Sequence, residues 1–151
     1  MATINGLDIH HEIQGEGPPI VFVHGLGATS NVWHAQRMIL SKYYQVIVYD
    51  RSGSGRSQQA RAGYSINAWT DELAGLLDHL AVPSAVVVGH SLGSMIAQRF
   101  AGKYANRTKA LILAGGEAEF GPEEKVGVHG GLLLSIAGRV PMPRLTRGLL
   151  W

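Results

Sequence analysis

Residues 89–93, Gly-His-Ser-Leu-Gly, constrain the fold of this chain more than any other segment. They follow an apolar run at residues 85–88, which is typical of a buried strand, and they precede a helical stretch at residues 94–103. Where a strand turns directly into a helix, a Cβ two residues either side of the turn would collide across it, which explains both glycines. The segment therefore predicts a sharp strand-to-helix turn with Ser91 at its tip.

This turn would give Ser91 the position of a nucleophile. Its hydroxyl would be exposed at the rim of the sheet, and the helix N-terminus behind it offers unpaired N–H groups and a positive dipole end. Such groups stabilise the charge that develops on a carbonyl oxygen during acyl transfer. We interpret the segment as the nucleophile elbow of a serine hydrolase, with the Leu92 N–H as one oxyanion donor. His90 is interpreted as a packing or gating residue.

Apolar runs that alternate with amphipathic segments predict the rest of the architecture. Two short extended segments joined by Asn5-Gly6 predict an opening hairpin. Runs typical of strands buried on both faces occur at residues 20–23, 46–49, 85–88 and 110–113. An amphipathic helix is predicted from residue 69, with Asp71 and Glu72 in its early turns, where the dipole favours acids. The expected fold is an α/β, mostly parallel sheet with an opening antiparallel hairpin and helices on both faces.

The composition excludes several classes of site and partner. The chain has no cysteine, which excludes disulfides and thiolate metal sites, and we expect neither a metal nor a cofactor. Its 13 Lys and Arg residues are scattered and the formal net charge is +2, so no nucleic-acid partner is expected. No uncharged run approaches the ~18 residues of a membrane span, and residues 1–12 do not resemble a signal peptide. We therefore expect a soluble, cytoplasmic protein without a membrane partner.

Two further motifs follow predicted strands. Residues 24–27, His-Gly-Leu-Gly, come after the first buried strand, and residues 50–57, Asp-Arg-Ser-Gly-Ser-Gly-Arg-Ser, come after the second. With the elbow, these motifs resemble the H-G-x-G loop and D-x-x-G-x-G-x-S segment of the α/β-hydrolase superfamily, on the side of its lactonases and esterases. The resemblance implies hydrolysis of small carboxylic esters, lactones or thioesters through an acyl-enzyme. The loop after the first buried strand would supply the second oxyanion donor, the Leu26 N–H.

The family places a catalytic acid and then a histidine after the nucleophile. After Ser91 this chain has no Asp, and its only histidine is His129, which comes too early for the family's base. We therefore expect the N-terminal half of the fold, with residues 1–116 in the core and residues 117–151 starting a helical cap, and a catalytically incomplete chain. Glu117 is the candidate acid, and Glu119 is the alternative.

Other interpretations remain open. Residues 25–30 approach the G-x-G-x-x-G fingerprint of dinucleotide-binding domains, with Asp50 in the place of the ribose-binding acid, although Ser30 replaces the third glycine. The chain could instead be non-catalytic, either truncated or completed by another polypeptide. If residues 110–113 form the last strand, its outer edge is unpaired, and self-association through that edge is expected.

Overall fold

The computed structural model describes residues 1–115 and the strand Leu134–Ser135. The strands are β1 (Ala2–Ile4), β2 (Leu7–Ile9), β3 (His11–Gln14), β4 (Pro19–Val23), β5 (Gln45–Tyr49), β6 (Ala85–His90), β7 (Thr108–Ala114) and β8 (Leu134–Ser135). The helices are α1 (His34–Leu40), α2 (Ile66–His79) and α3 (Leu92–Lys103), with 3₁₀ turns at Ser30–Trp33 and Ala105–Arg107.

Six strands form the main sheet in the order β3-β5-β4-β6-β7-β8. The four central strands are parallel, whereas β3 runs antiparallel to β5 and β8 antiparallel to β7. The four parallel strands coincide with the continuous apolar runs, and their apolar side chains pack in hydrophobic core on both faces of the sheet. The mostly parallel α/β sheet predicted from the sequence is therefore confirmed.

The opening hairpin is formed by β1 and β2, which pair antiparallel in a sheet of their own. Asn5 and Gly6 form its turn with φ of 51° and 80°, as this dipeptide predicts. The second predicted extended segment is divided at His10, however, and its two halves belong to different sheets. The His10 N–H donates to Ser57 Oγ (2.8 Å) instead of to a strand, which takes this residue out of the ladder.

Helices and turns cover both faces of the main sheet. On one face, α2, α3 and the hairpin pack over Val21, Val23, Ile47, Tyr49 and Val87. On the other face, Trp33, Leu40 and Tyr44 pack over Ile20, Phe22, Val46, Val48, Val86 and Val88. The two faces are separate hydrophobic clusters, so the sheet is held in place from both sides while its carboxyl-terminal edge stays available for loops.

The acids of α2, Asp71 and Glu72, do not lie in its first turn, where they would interact with the helix dipole. The helix begins at Ile66 and is capped by Ser65, whose side chain accepts from the Ala68 N–H (3.1 Å), so both acids lie beyond the first turn. Asp71 instead accepts from the Lys103 ammonium (2.6 Å), which joins α2 to α3, and Glu72 is buried. The prediction that these acids interact with the helix dipole is therefore wrong.

Strand β8 changes the expectation for the sheet edge. It pairs with β7 through Leu111 opposite Ser135 and Ile112 opposite Leu134, so β7 is not the outermost strand. Self-association through this edge stays a prediction, and the rest of the predicted cap region lies outside the described residues. Among the helices that the structure describes, none has the length and apolarity that crossing a membrane requires.

Candidate active site

The three sequence motifs meet where the strand order reverses. The chain passes from β4 to its neighbour β5 on one side and then returns to β6 on the other side of β4. The loops that follow β4 and β6 therefore leave the sheet on opposite sides, the arrangement that in open α/β sheets forms a binding crevice at the carboxyl ends of the strands. Residues 24–27 and the elbow border this crevice, and residues 50–57 follow the adjacent strand.

Ser91 lies between the end of β6 and the start of α3 with φ 51° and ψ −121°. A non-glycine residue in such a conformation costs on the order of 1–3 kcal/mol and persists only where the surrounding structure imposes it. The Ser91 N–H donates to the Ala114 carbonyl (2.9 Å), and Ser94 Oγ donates to the Gly89 carbonyl (2.9 Å). These bonds tie the elbow to β6 and β7, and the sharp turn predicted for Ser91 is present.

The loop after β4 packs directly against the elbow. A Cβ at Gly25 would lie 3.2 Å from Ser91 Cβ and 3.2 Å from the His90 carbonyl, so glycine allows the close approach. The next residue, Leu26, is 80% exposed and follows directly on the residue that packs against the elbow. Leu92 is the first residue of α3, and its side chain packs on the core. Leu92 thus follows Ser91 in the chain, and Leu26 follows the glycine that lies against Ser91, so both candidate donors belong to segments next to the nucleophile.

The His90 side chain lies at the rim of the site. Its ring meets the edge of Trp33, with centroids 6.3 Å apart and planes at 86°, and Trp33 in turn packs on Phe22. A Cβ at Gly115 would lie 3.8 Å from the His90 ring. His90 itself is exposed, so its interpretation as a packing or gating residue stays a prediction.

Asp50 is buried and both of its carboxylate oxygens are occupied. Oδ1 accepts from the Ser30 N–H (2.7 Å) and Oδ2 from the Arg56 N–H (2.9 Å). Burial raises the pKa of Asp50, but these backbone donors outweigh it and hold the pKa below its ordinary value. The carboxylate joins Ser30 to Arg56 and is not available to a ribose. The dinucleotide-binding alternative therefore has no support from this residue.

His24 is buried behind the loop and has one tautomer. The Arg51 N–H donates to its Nε2 (3.0 Å), so Nε2 carries no proton, and Nδ1 then donates to the Gly25 carbonyl (2.9 Å). Burial lowers the pKa of His24, partly opposed by the bond to Gly25. His24 is therefore a neutral structural residue of the loop and not a base for Ser91.

A buried polar network beneath the loop was not predicted from the sequence. The Arg51 guanidinium, 1% exposed, donates from Nε to the His24 carbonyl (3.2 Å) and from Nη2 to the Gly25 carbonyl (2.9 Å). Glu72 accepts from the Ser52 N–H through both oxygens (3.1 and 3.3 Å). Burial raises the pKa of Glu72, partly opposed by these bonds. Through Glu72, helix α2 thus holds Ser52, the neighbour of the arginine that bonds the loop after β4.

The neutral state of His24 predicts a pH-dependent stability. Because its folded-state pKa lies below the ordinary 6.5, protons bind the unfolded state first, and stability present above pH 6.5 is lost as the pH falls below it. The pKa of His11 is also lowered, mainly by burial, and adds an effect of the same sign. Urea unfolding between pH 7.5 and about 5 should show a smaller pH slope in His24→Gln than in the wild type. Equal slopes would contradict the neutral assignment of His24.

The candidate acids Glu117 and Glu119 lie outside the described residues, as does His129, which comes too early in the chain to be the expected base. Within residues 1–115, no side chain is hydrogen-bonded to the Ser91 hydroxyl. Over the same part of the chain, no three His, Asp or Glu side chains form a group that could hold a metal ion.

Comparisons with known proteins agree with this arrangement. The bifunctional esterase/perhydrolase of Acinetobacter calcoaceticus is 34% identical over 119 residues, which are 76% of this chain and 43% of that protein. A thermophilic esterase from Thermogutta terrifontis superposes with a TM-score of 0.72 at 38% identity, covering 76% of this chain and 43% of its own. For the enol-lactonase from Burkholderia xenovorans the TM-score is 0.71 at 32% identity, with 73% and 44% covered.

The chain thus spans less than half the length of these relatives. The model of one family, described as the alpha/beta hydrolase fold, matches residues 18–131 and so includes all three motifs. Since that match extends over more than half of the chain, the chain belongs to the α/β-hydrolase family.

Proposed function

We propose that this chain carries the nucleophile and oxyanion hole of a serine hydrolase that acts on small carboxylic esters, lactones or thioesters. The observation that carries the proposal is the strained backbone of Ser91 at the junction of β6 and α3, with the loop after β4 packed against it. Strain of this kind is retained where it positions a group for chemistry. The relatives named as esterases and a lactonase support the substrate class.

In the proposed reaction, Ser91 Oγ attacks the substrate carbonyl carbon while its proton passes to a base. The carbonyl oxygen becomes an oxyanion that accepts from the backbone N–H groups of Leu26 and Leu92. Collapse of the intermediate breaks the bond to the alcohol, thiol or lactone ring oxygen, which takes the proton from the base, and leaves an acyl group on Ser91. Water then gives a proton to the same base and attacks the ester carbonyl, and the base returns that proton to Ser91 Oγ as the acid is released.

The base and its acid partner are proposed to come from outside the described residues. An unassisted serine hydroxyl is a weak nucleophile at neutral pH, so the reaction needs such a base. Glu117 stays the candidate acid because it follows β7 directly, and a non-catalytic role of the 151-residue chain alone stays the alternative.

Trapping of the acyl-enzyme tests the function. The complete gene product that contains these residues is mixed with p-nitrophenyl butyrate, quenched in acid and measured by intact-protein mass spectrometry. A butyryl adduct that is absent from Ser91→Ala is expected, together with hydrolysis of the ester, of a γ-lactone or of an acyl thioester. An adduct of equal yield in Ser91→Ala would overturn the serine mechanism, whereas hydrolysis of none of the three substrates would overturn the substrate class.

A further inference from the structure

Arg51 is the largest of the fully buried side chains, and its charge lies directly beneath the candidate oxyanion loop. Its Nε and Nη2 groups donate to two successive carbonyls, those of His24 and Gly25. A buried guanidinium is costly unless its donors are paired, so a charge in this position needs an explanation. The two bonds are charge-assisted and hold the backbone of the loop from below.

The second of these bonds restrains the peptide group that contains the Leu26 N–H. The Gly25 carbonyl and the Leu26 N–H belong to one planar trans peptide group, in which the C=O and N–H bonds point in opposite directions. That carbonyl accepts from Arg51 Nη2 and from His24 Nδ1, both at 2.9 Å and both buried, and from the Ala28 N–H at 3.4 Å. The Leu26 N–H must therefore point away from the buried network. Gly25 itself lies against the elbow, since a Cβ on it would be 3.2 Å from Ser91 Cβ.

We propose that Arg51 is the positioning residue of the oxyanion hole: by holding the Gly25 carbonyl inward, it aims the Leu26 N–H toward the crevice at Ser91. The peptide cannot rotate toward a substrate carbonyl or away from it without breaking a bond from Arg51. A donor that is fixed before the reaction costs no reorganisation when the oxyanion forms. The inference rests on the proposed function for its catalytic meaning, but the restraint on the loop is a property of the fold.

Helix α2 holds Arg51 in turn. The guanidinium lies over the Trp69 ring, 4.7 Å from its centroid, and Trp69 Nε1 donates to the Ser52 carbonyl (3.3 Å). Glu72 accepts from the Ser52 N–H and provides a negative charge near the buried guanidinium. A lysine would keep the charge but not the planar fork that reaches two carbonyls and stacks on a ring. The geometry is therefore specific for arginine.

The first arm of the test measures the loop without relying on catalysis. Amide hydrogen exchange of the full chain is compared among the wild type, Arg51→Met, Arg51→Lys and Arg107→Met. Arg107 is the matched control because it also donates to backbone carbonyls, those of Ala74, Val82 and Pro83. We expect exchange within residues 24–28 to rise about tenfold or more in Arg51→Met, the effect of losing one charge-assisted bond on a local opening.

In the same arm, Arg107→Met should leave the amide exchange rates of residues 24–28 unchanged. If Arg51→Met does not fold, Arg51→Lys decides, since a single ammonium cannot replace both bonds and exchange should still rise. Wild-type exchange in Arg51→Lys, or an equal rise in Arg107→Met, would overturn the restraint.

The second arm measures the rate at which a fluorophosphonate probe labels Ser91 in the complete gene product. Arg51→Met should label at least about tenfold more slowly, while Arg107→Met keeps the wild-type rate. Wild-type labelling in a folded Arg51 variant would overturn the positioning role. If wild-type Ser91 is not labelled at all, the proposed function fails, and the exchange arm still decides whether Arg51 holds the loop.

Discussion

Gly93→Ala should destabilise the fold by at least ~3 kcal/mol, the range that only severe packing or backbone conflicts reach. A Cβ at this position would lie 2.7 Å from the Val23 carbonyl carbon and 2.9 Å from the His24 carbonyl oxygen, both of which are backbone atoms. Backbone cannot move aside as a flexible side chain can, so α3 would have to shift away from β4. Chemical denaturation monitored by circular dichroism measures the loss.

Gly102→Ala is the matched control for this substitution. It lies in the same helix, and nothing within 4 Å would meet its Cβ. Replacing an unhindered helical glycine with alanine raises helix propensity by roughly 0.5–1 kcal/mol, so this variant should be neutral or more stable. If both variants lost the same stability, the close packing of α3 on β4 at the elbow would be wrong.

Ser91→Ala should lower turnover of the complete gene product by about 10⁴–10⁶, the loss seen when the nucleophile of a serine hydrolase is removed. The elbow itself should survive, because its hydrogen bonds come from the Ser91 N–H and from Ser94 Oγ and not from the Ser91 hydroxyl. The measurement is the initial rate on the best ester substrate, together with the melting temperature. We expect the melting temperature to stay unchanged or to rise modestly, because a polar hydroxyl is removed. Turnover within tenfold of the wild type would remove Ser91 from the mechanism.

The parts of this fold that the sequence predicted are those set by local pattern. The apolar runs of β4 to β7 are continuous because these strands are buried on both faces, and periodicity needs no knowledge of their partners. The elbow was predicted for a similar reason. Gly89 and Gly93 are required by collisions within the turn and with β4, and a Cβ at Gly89 would lie 2.6 Å from the Gly93 carbonyl carbon.

The rest depends on tertiary contacts that leave no local pattern. No local pattern marks Arg51 and Glu72 as buried, yet Arg51 donates to Gly25, 26 residues away along the chain, and Glu72 accepts from Ser52, 20 residues away. Nothing between residues 7 and 14 marks His10 as a break, because the break follows from its bond to Ser57, 47 residues later. The catalytic acid stays a prediction, since the candidates Glu117 and Glu119 lie outside the described residues, and no residue of the described part is assigned as the base.

Labelling by a fluorophosphonate probe tests the assignment of Ser91 most directly. The complete gene product is labelled and digested, and the modified residue is identified by tandem mass spectrometry, with Ser91→Ala and Ser84→Ala measured in parallel. Ser84 precedes β6 at the opposite end of the same strand and serves as the control. We expect the probe on Ser91, retained in Ser84→Ala and lost in Ser91→Ala. Undiminished labelling of Ser91→Ala, or an adduct on another serine of the wild type, would contradict the assignment of Ser91 as the nucleophile.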